Sequence, residues 1–316
     1  MPSRRAGVSS GPLVMSAPAD SLKSILFALS ANLAIVIAKT GGALYTGSAS
    51  MLAEAIHSFA DCTNQALLLW GLKEARRAAS PDHPLGHGRA IYFWSFIVAL
   101  MLFSLGGLFS VYEGVHKLHQ TEPIRSPWVA IAILAFGVAT ESVSLWGALR
   151  EIEKERGTRS LWSWFRTSRQ SELLVILGED LAALGGLAIA LVAVAVALAT
   201  GNPLWDAVGS IGVGVLLVAV AVLVAIEVKS LLVGQSAEPE VIAAMHGHLA
   251  EQAEVAEIYN LLTQQLGSDV MVAVKARMHP TGSDAALIET INRVERAFRV
   301  QFPQVRWMFF EPDDRA

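Results

Sequence analysis

Charge is scarce in this 316-residue chain: Asp, Glu, Lys and Arg together make up 16% of it, against about 25% in an ordinary soluble domain. That excludes a soluble globular protein. Cysteine is nearly absent. With Cys62 alone there is no internal disulfide and no cysteine-built zinc module, so any metal must be held by His, Asp or Glu. Basic charge is not in excess either. The formal net charge of −4 leaves no basic footprint for nucleic acid, which is not expected as a partner. His-Glu-x-x-His and serine-centred motifs are missing from the apolar stretches, which argues against a membrane metalloenzyme or hydrolase. No enzyme activity and no resident cofactor are expected.

What is present is hydrophobicity, at 53% of residues. Long apolar stretches run at about 22–43, 48–72, 90–115, 127–149, 172–199 and 204–232. Each approaches the ~20 residues that a helix needs to cross a bilayer, so six spanning helices are expected. Residues 1–20, rich in Ser, Pro, Gly and Ala, read as a disordered cytosolic tail and not as a signal peptide. Lys and Arg gather on the cytoplasmic side of short loops. Thirteen of them, from Arg4 to Arg169, fall before the first stretch and in the second-to-third and fourth-to-fifth connections, against Lys117 and Arg125 on the other side. Both termini are therefore expected in the cytoplasm of a multi-pass protein, in the inner membrane if the source is bacterial.

The expected organisation is a tail (1–20), a six-helix membrane domain (21–234) and a small cytosolic α+β domain (235–316). In the last, 238–252 reads as a short helix opening on Pro239. A weaker strand follows at 254–263. Val270, Val272, Val274, Ala276 and Met278 alternate as one buried face of a second strand. Ser283 caps a helix carrying Leu287, Ile291, Val294 and Phe298, and Val305–Phe310 closes as a strand. The order is αββαβ, a ferredoxin-like arrangement within a mainly α membrane protein.

Ionisable groups inside apolar stretches point to the chemistry. Each costs on the order of 2.5–3.5 kcal/mol at the bilayer centre, so several together need a shared reason. In the second stretch, His57 and Asp61 differ by about 40° around a helix axis and Glu54 lies about 60° to the other side of His57, which puts an imidazole between two carboxylates. The fifth stretch supplies Glu179 and Asp180. Being adjacent, they point about 100° apart, so one of them faces the common partner squarely. Gly178, Gly185 and Gly186 allow another helix close. An imidazole nitrogen with two or more carboxylate oxygens makes a divalent-cation site, and the imidazole favours zinc or another first-row metal over calcium. Interhelical hydrogen bonding alone would be better served by Ser, Thr or Asn.

Gly47-Ser-Ala-Ser-Met-Leu-Ala-Glu54-Ala-Ile-His57-Ser-Phe-Ala-Asp61 resembles the second helix of the cation diffusion facilitator family of zinc and transition-metal exporters. Asp82-His83-Pro84-Leu85-Gly86-His87-Gly88-Arg89 resembles the family's loop into its third helix. The likeness covers roughly residues 22–312, and the second-helix segment with Glu179-Asp180 looks most like the zinc transporter 9 branch. It implies secondary export of zinc from the cytosol in exchange for protons, by a homodimeric protein in a lipid bilayer. It also assigns His57, Asp61 and Asp180 to the transport site and His83 and His87 to a second, cytosolic metal site. Where the family has a His or Asp one turn before Asp180, this chain has Ile176, so a fourth ligand would come from water, Glu179 or Glu54. Phe309 stands where the family's metal-binding tails often carry a His, which points the tail toward dimer formation. Manganese, iron or cobalt as cargo, and a non-transporting scaffold or regulator, stay open on the residues alone.

Overall fold

A computed structural model describes residues 49–119 and 127–315, with side chains from Ser58 onward in the first of these segments, and scattered helical positions between 26 and 44. The chain divides into two compact units, one ending at Val233 and the other continuing from Gly234. The expected tail and nearly half of the first expected span lie outside the described residues.

The first unit is helical. Helix α1 runs Ala49–Ala75, and α2 runs Ala90–His119 with a π-helical stretch at Leu102–Leu108. Helix α3 spans Pro127–Arg156, the short α4 Leu161–Thr167, α5 Ser171–Thr200 and α6 Leu204–Val233. Proline opens α3, where its missing N–H is no loss. Gly201 closes α5 in the left-handed conformation, φ 66°, as a helix C-terminus favours. Among the described residues four helices are long and apolar enough to cross a membrane: Ala90–His119, Ala130–Arg156, Ser171–Thr200 and Leu204–Val233. At 27 residues, α1 is also long enough, at about 40 Å. Its run of ionisable and amide side chains keeps it out of that count.

Helix α5 packs along α6 and α3, α2 packs along α6, and α1 packs against α2. Glycines set the closest crossing. A methyl group on Gly214 would meet Val111 N at 2.7 Å and Gly107 O at 2.8 Å, and one on Gly114 would meet Ile211 N at 2.8 Å. The α2 and α6 backbones therefore touch directly, as small residues permit in membrane bundles. Gly178 and Gly185 instead make room for α6 side chains, Val224 and Leu216, which occupy the space a methyl group would take. The Gly209–Gly214 series is thus a packing feature.

The unit's apolar core gathers at the end of the bundle that carries the basic connections. Leu68, Tyr92, Ile152, Trp164, Leu173, Leu174, Leu177 and Leu231 are all buried there in one cluster. Trp164 belongs to α4, which sits in the basic stretch read from sequence only as a loop. Ser160 Oγ caps it by accepting from Ser163 N at 3.1 Å, and its Arg166 pairs with Glu227 of α6. Elsewhere large apolar side chains such as Phe59, Trp70, Phe136 and Val192 face outward, as lipid contact requires.

The second unit follows the expected element types and order: α7 Pro239–Ala250, β1 Val255–Leu266, β2 Asp269–Met278, α8 Asp284–Gln301 and β3 Val305–Pro312. The sheet is mixed, in the order β1-β2-β3, with β1 antiparallel and β3 parallel to the central β2. Val270, Val272, Val274 and Ala276 form the buried face of β2 against α7 and α8 residues Met245, Leu249, Val294 and Phe298. Ser283 caps α8, its Oγ accepting from Ala286 N at 3.2 Å. Helix α8 carries the chain from β2 back to a parallel β3.

Candidate metal centre in the helical unit

Six residues on three helices bring polar groups together just inside the apolar core. Glu179 and Asp180 stand two to three turns into α5 and are buried. As adjacent residues they turn to different neighbours. Glu179 reaches α1, where Asn64 Nδ2 donates to its Oε1 at 2.9 Å. Asp180 reaches α3, where Ser144 Oγ lies 3.1 Å from Oδ1 and 3.2 Å from Oδ2 and donates to the carboxylate. Asp61 of α1 comes near enough to Glu179 for a hydrogen bond between the two carboxyl groups, and it acts electrostatically on Asp180 as well. Glu141, one turn before Ser144 on α3, also faces Asp180.

Three helices thus aim carboxyl groups at a shared interior region. Like charges gathered in a low dielectric repel strongly, and a cation among them would remove that repulsion. Ile176, where the family resemblance leads one to look for a ligand, is buried in the apolar core beside Leu173 and Leu177. Its packing role is plain.

The seven residues singled out from sequence fall into three groups. Asp61 lies within hydrogen-bonding reach of Glu179 and acts electrostatically on Asp180. The side chains of His57 and Glu54 lie outside the described residues. Among the described residues no three His, Cys, Asp or Glu side chains are arranged to hold one ion between them. His83 and His87 sit in the loop before α2, where Gly86 turns the chain at φ 76° and its N–H donates to His83 O at 2.9 Å. The two rings lie face to face, 4.3 Å between centroids at a 30° tilt. His83 is exposed, His87 is half-buried, and Nδ1 of His87 is buried with no hydrogen-bond partner.

Other polar residues are accounted for by pairing. Asp206 of α6 accepts from Lys117 of α2 at 3.2 Å, and Cys62 is a buried free thiol. In the second unit the His248 ring meets Phe298 and Phe302 edge-on, which marks it as a core residue. Sequence reasoning missed Ser144 and the partner of Asn64. A serine in an apolar helix carries no periodic signal, and Asn64 lies 115 residues from the glutamate that it holds. Gln65, next along α1, is also buried, with Oε1 lacking a hydrogen-bond partner.

With this geometry in view, the comparisons with known proteins are decisive for the family. Residues 25–233 match the model of the cation efflux transmembrane domain. The chain belongs to the cation efflux, or cation diffusion facilitator, family. The mitochondrial proton-coupled zinc antiporter SLC30A9 of Xenopus laevis is 36% identical over 226 residues, which is 71% of this chain and 40% of that protein. Metal tolerance protein C4 of Arabidopsis thaliana is 29% identical over 249 residues, 78% of this chain and 54% of that protein. Magnetosome protein MamB of Magnetospira sp. (strain QH-2) is 23% identical over 230 residues, 71% and 72% of the two chains. Within the cation efflux family the chain falls with the zinc transporter 9 branch, and it spans about two fifths of the length of the antiporter it matches there. It is an integral membrane protein.

Proposed function

We propose that this cation efflux protein is a secondary transporter that exports zinc from the cytosol in exchange for protons. The observation that carries the reading is the approach of Asp61 on α1 to Glu179 and Asp180 on α5, inside a bundle of the cation efflux family. The named activity of the SLC30A9 relative, proton-coupled zinc antiport, supports both cargo and coupling. In this reading six helices cross the bilayer, α1 among them, with a further span preceding it and both termini in the cytoplasm. His57 and Asp61 supply ligands from α1. Asp180 supplies one from α5, and Glu179 takes the role that Ile176 cannot fill. The tail unit serves homodimer formation, and His83 and His87 form a second, cytosolic site.

The mechanism follows from competition between metal and protons. Zinc binds deprotonated ligands, so loading releases protons and protonation releases metal. An imidazole, with an unperturbed pKa near 6.5, makes that exchange near neutral pH. Rocking of the bundle about a fixed mid-membrane site then gives alternating access, as in secondary transporters generally. Mixed nitrogen and oxygen donors favour zinc over magnesium or calcium, while an oxygen-rich set with a retained water would admit manganese or iron. The test is zinc-driven proton movement in proteoliposomes that contain the full chain. Wild-type protein is expected to couple the two fluxes and a His57→Ala, Asp61→Ala double variant to abolish them. Unchanged flux in the double variant overturns the site, and no zinc flux in the wild type overturns the function.

A further inference from the structure

Asn64 is an amide where an apolar residue would cost less. It lies 5% exposed, and a buried primary amide needs partners for both its N–H and its carbonyl groups. Only one side is provided for. Nδ2 donates to Glu179 Oε1 at 2.9 Å, and Oδ1 is buried with no hydrogen-bond partner. With Nδ2 so committed, the carbonyl oxygen is turned to the remaining space in the same amide plane.

Position along α1 says what that oxygen is near. Asn64 lies three residues after Asp61, and three-residue neighbours share a helix face. Side chains lean toward the helix N-terminus, so Asn64 leans back over the turn that carries Asp61. Glu179 stands between the two, bonded to Asn64 and within hydrogen-bonding reach of Asp61. Oδ1 is thus a buried acceptor without a donor, one helix turn from Asp61 and on the side chain that already holds the Glu179 carboxyl group. A cation satisfies all three together.

We propose that Asn64 belongs to the cation site: it fixes Glu179 beside Asp61 and offers its own carbonyl oxygen to the cation. This rests on the transport reading for the identity of the cargo and adds to it a donor from the amide class. The resulting set of Asp61, Glu179 and Asn64 Oδ1 is rich in oxygen and lies on the side of His57 toward the basic loop. An ion arriving from that side meets oxygen first and imidazole second. Oxygen donors suit manganese and other harder ions, whereas cadmium is indifferent to their loss relative to softer ligands. Asn64 is therefore a determinant of which metals are admitted.

The test is equilibrium binding of zinc, manganese and cadmium to the purified full chain in detergent, measured by calorimetry. Binding is read apart from flux, so a wild-type protein that binds but does not transport sinks the proposed function and not this inference. Asn64→Leu is expected to weaken zinc binding by about 10–100-fold and manganese binding more than cadmium binding. Asn64→Asp keeps an oxygen in place and is expected to hold manganese affinity within about tenfold of wild type. Where Asn64→Leu does not fold, Asn64→Ala stands in for it. Unchanged zinc and manganese affinity in the folded variant overturns the proposal. So does an equal loss for all three metals with Asn64→Asp no better than Asn64→Leu, which is the signature of a purely structural amide.

Discussion

Replacing Gly214 by alanine tests the helix crossing on which the bundle is built. The added methyl group would stand 2.7 Å from Val111 N and 2.8 Å from Gly107 O, both backbone atoms of α2 that cannot rotate aside. Two effects oppose each other. Alanine gains about 0.8–1 kcal/mol of helix propensity over glycine. Overpacking against backbone costs about 1–3 kcal/mol, because the two helices must separate by several tenths of an ångström. The second outweighs the first, and a net destabilisation of about 1–2 kcal/mol follows. For a unit of this size that lowers the melting temperature by roughly 2–8 °C. Gly212→Ala is the matched control on the same helix. Its methyl group would meet only Ile189 Cγ2, at 3.3 Å, and that side-chain end can yield. The assay is thermal unfolding of the purified full chain in detergent. A Gly214→Ala protein that melts at or above wild type, with Gly212→Ala unchanged, would refute the claim that the α2 and α6 backbones are in contact.

Ser144→Ala removes the hydroxyl that donates to Asp180. A hydrogen bond to a charged group is worth about 1.5–3 kcal/mol, so zinc affinity is expected to change by about tenfold or more, with Ser144→Thr close to wild type; equal affinity in all three proteins would remove Ser144 from the site. In the second unit Lys275 Nζ lies 2.8 Å from Asp313 Oδ2. The hydrogen bond holds the Asp313 carboxyl below the usual carboxylate range and the Lys275 ammonium above its own. A lowered carboxylate contributes stability above its unfolded pKa of ~3.9 and loses it as pH falls through the folded value; a raised lysine contributes below ~10.4 and loses it as pH rises through the folded value. The stability difference between wild type and Asp313→Asn is therefore expected to be level across neutral pH and to shrink at both extremes. A difference that grows on acidification would contradict the pairing.

How much was legible in the sequence depends on whether a signal is local. The buried alternation of β2 and the Ser283 cap depend on neighbouring residues, and both appear where their spacing places them. Glycines in the fifth apolar stretch marked close approach, and Gly178 and Gly185 are indeed against α6. Helix periodicity also fixed that Glu179 and Asp180 diverge. What it could not supply is the rotation of one helix against another, which is set by all the side chains between them. That rotation decides that Glu179 meets Asn64 and that Asp180 meets Ser144. Helix α4 escaped for a different reason. Seven residues are too few for a periodic pattern, and its arginines drew attention to orientation instead of to Trp164, which anchors it in the core.

Helix α1 shows why hydropathy and function pull against each other in such a protein. Asp61, Asn64 and Gln65 lower its apolar character enough that composition alone does not mark it as a span. Yet Asn64 and Gln65 are buried, and a helix that presented them to lipid would face several kcal/mol for each unsatisfied group. They are tolerable only where other helices answer them. Glu179 is one such answer, and it is itself an ionisable residue in one of the most apolar helices of the chain. Each of the two helices would be a poor membrane span or a poor polar site alone. Paired, the Asn64 amide of one answers the Glu179 carboxyl group of the other, and the carbonyl oxygens of Asn64 and Gln65 are what the pairing leaves without a donor.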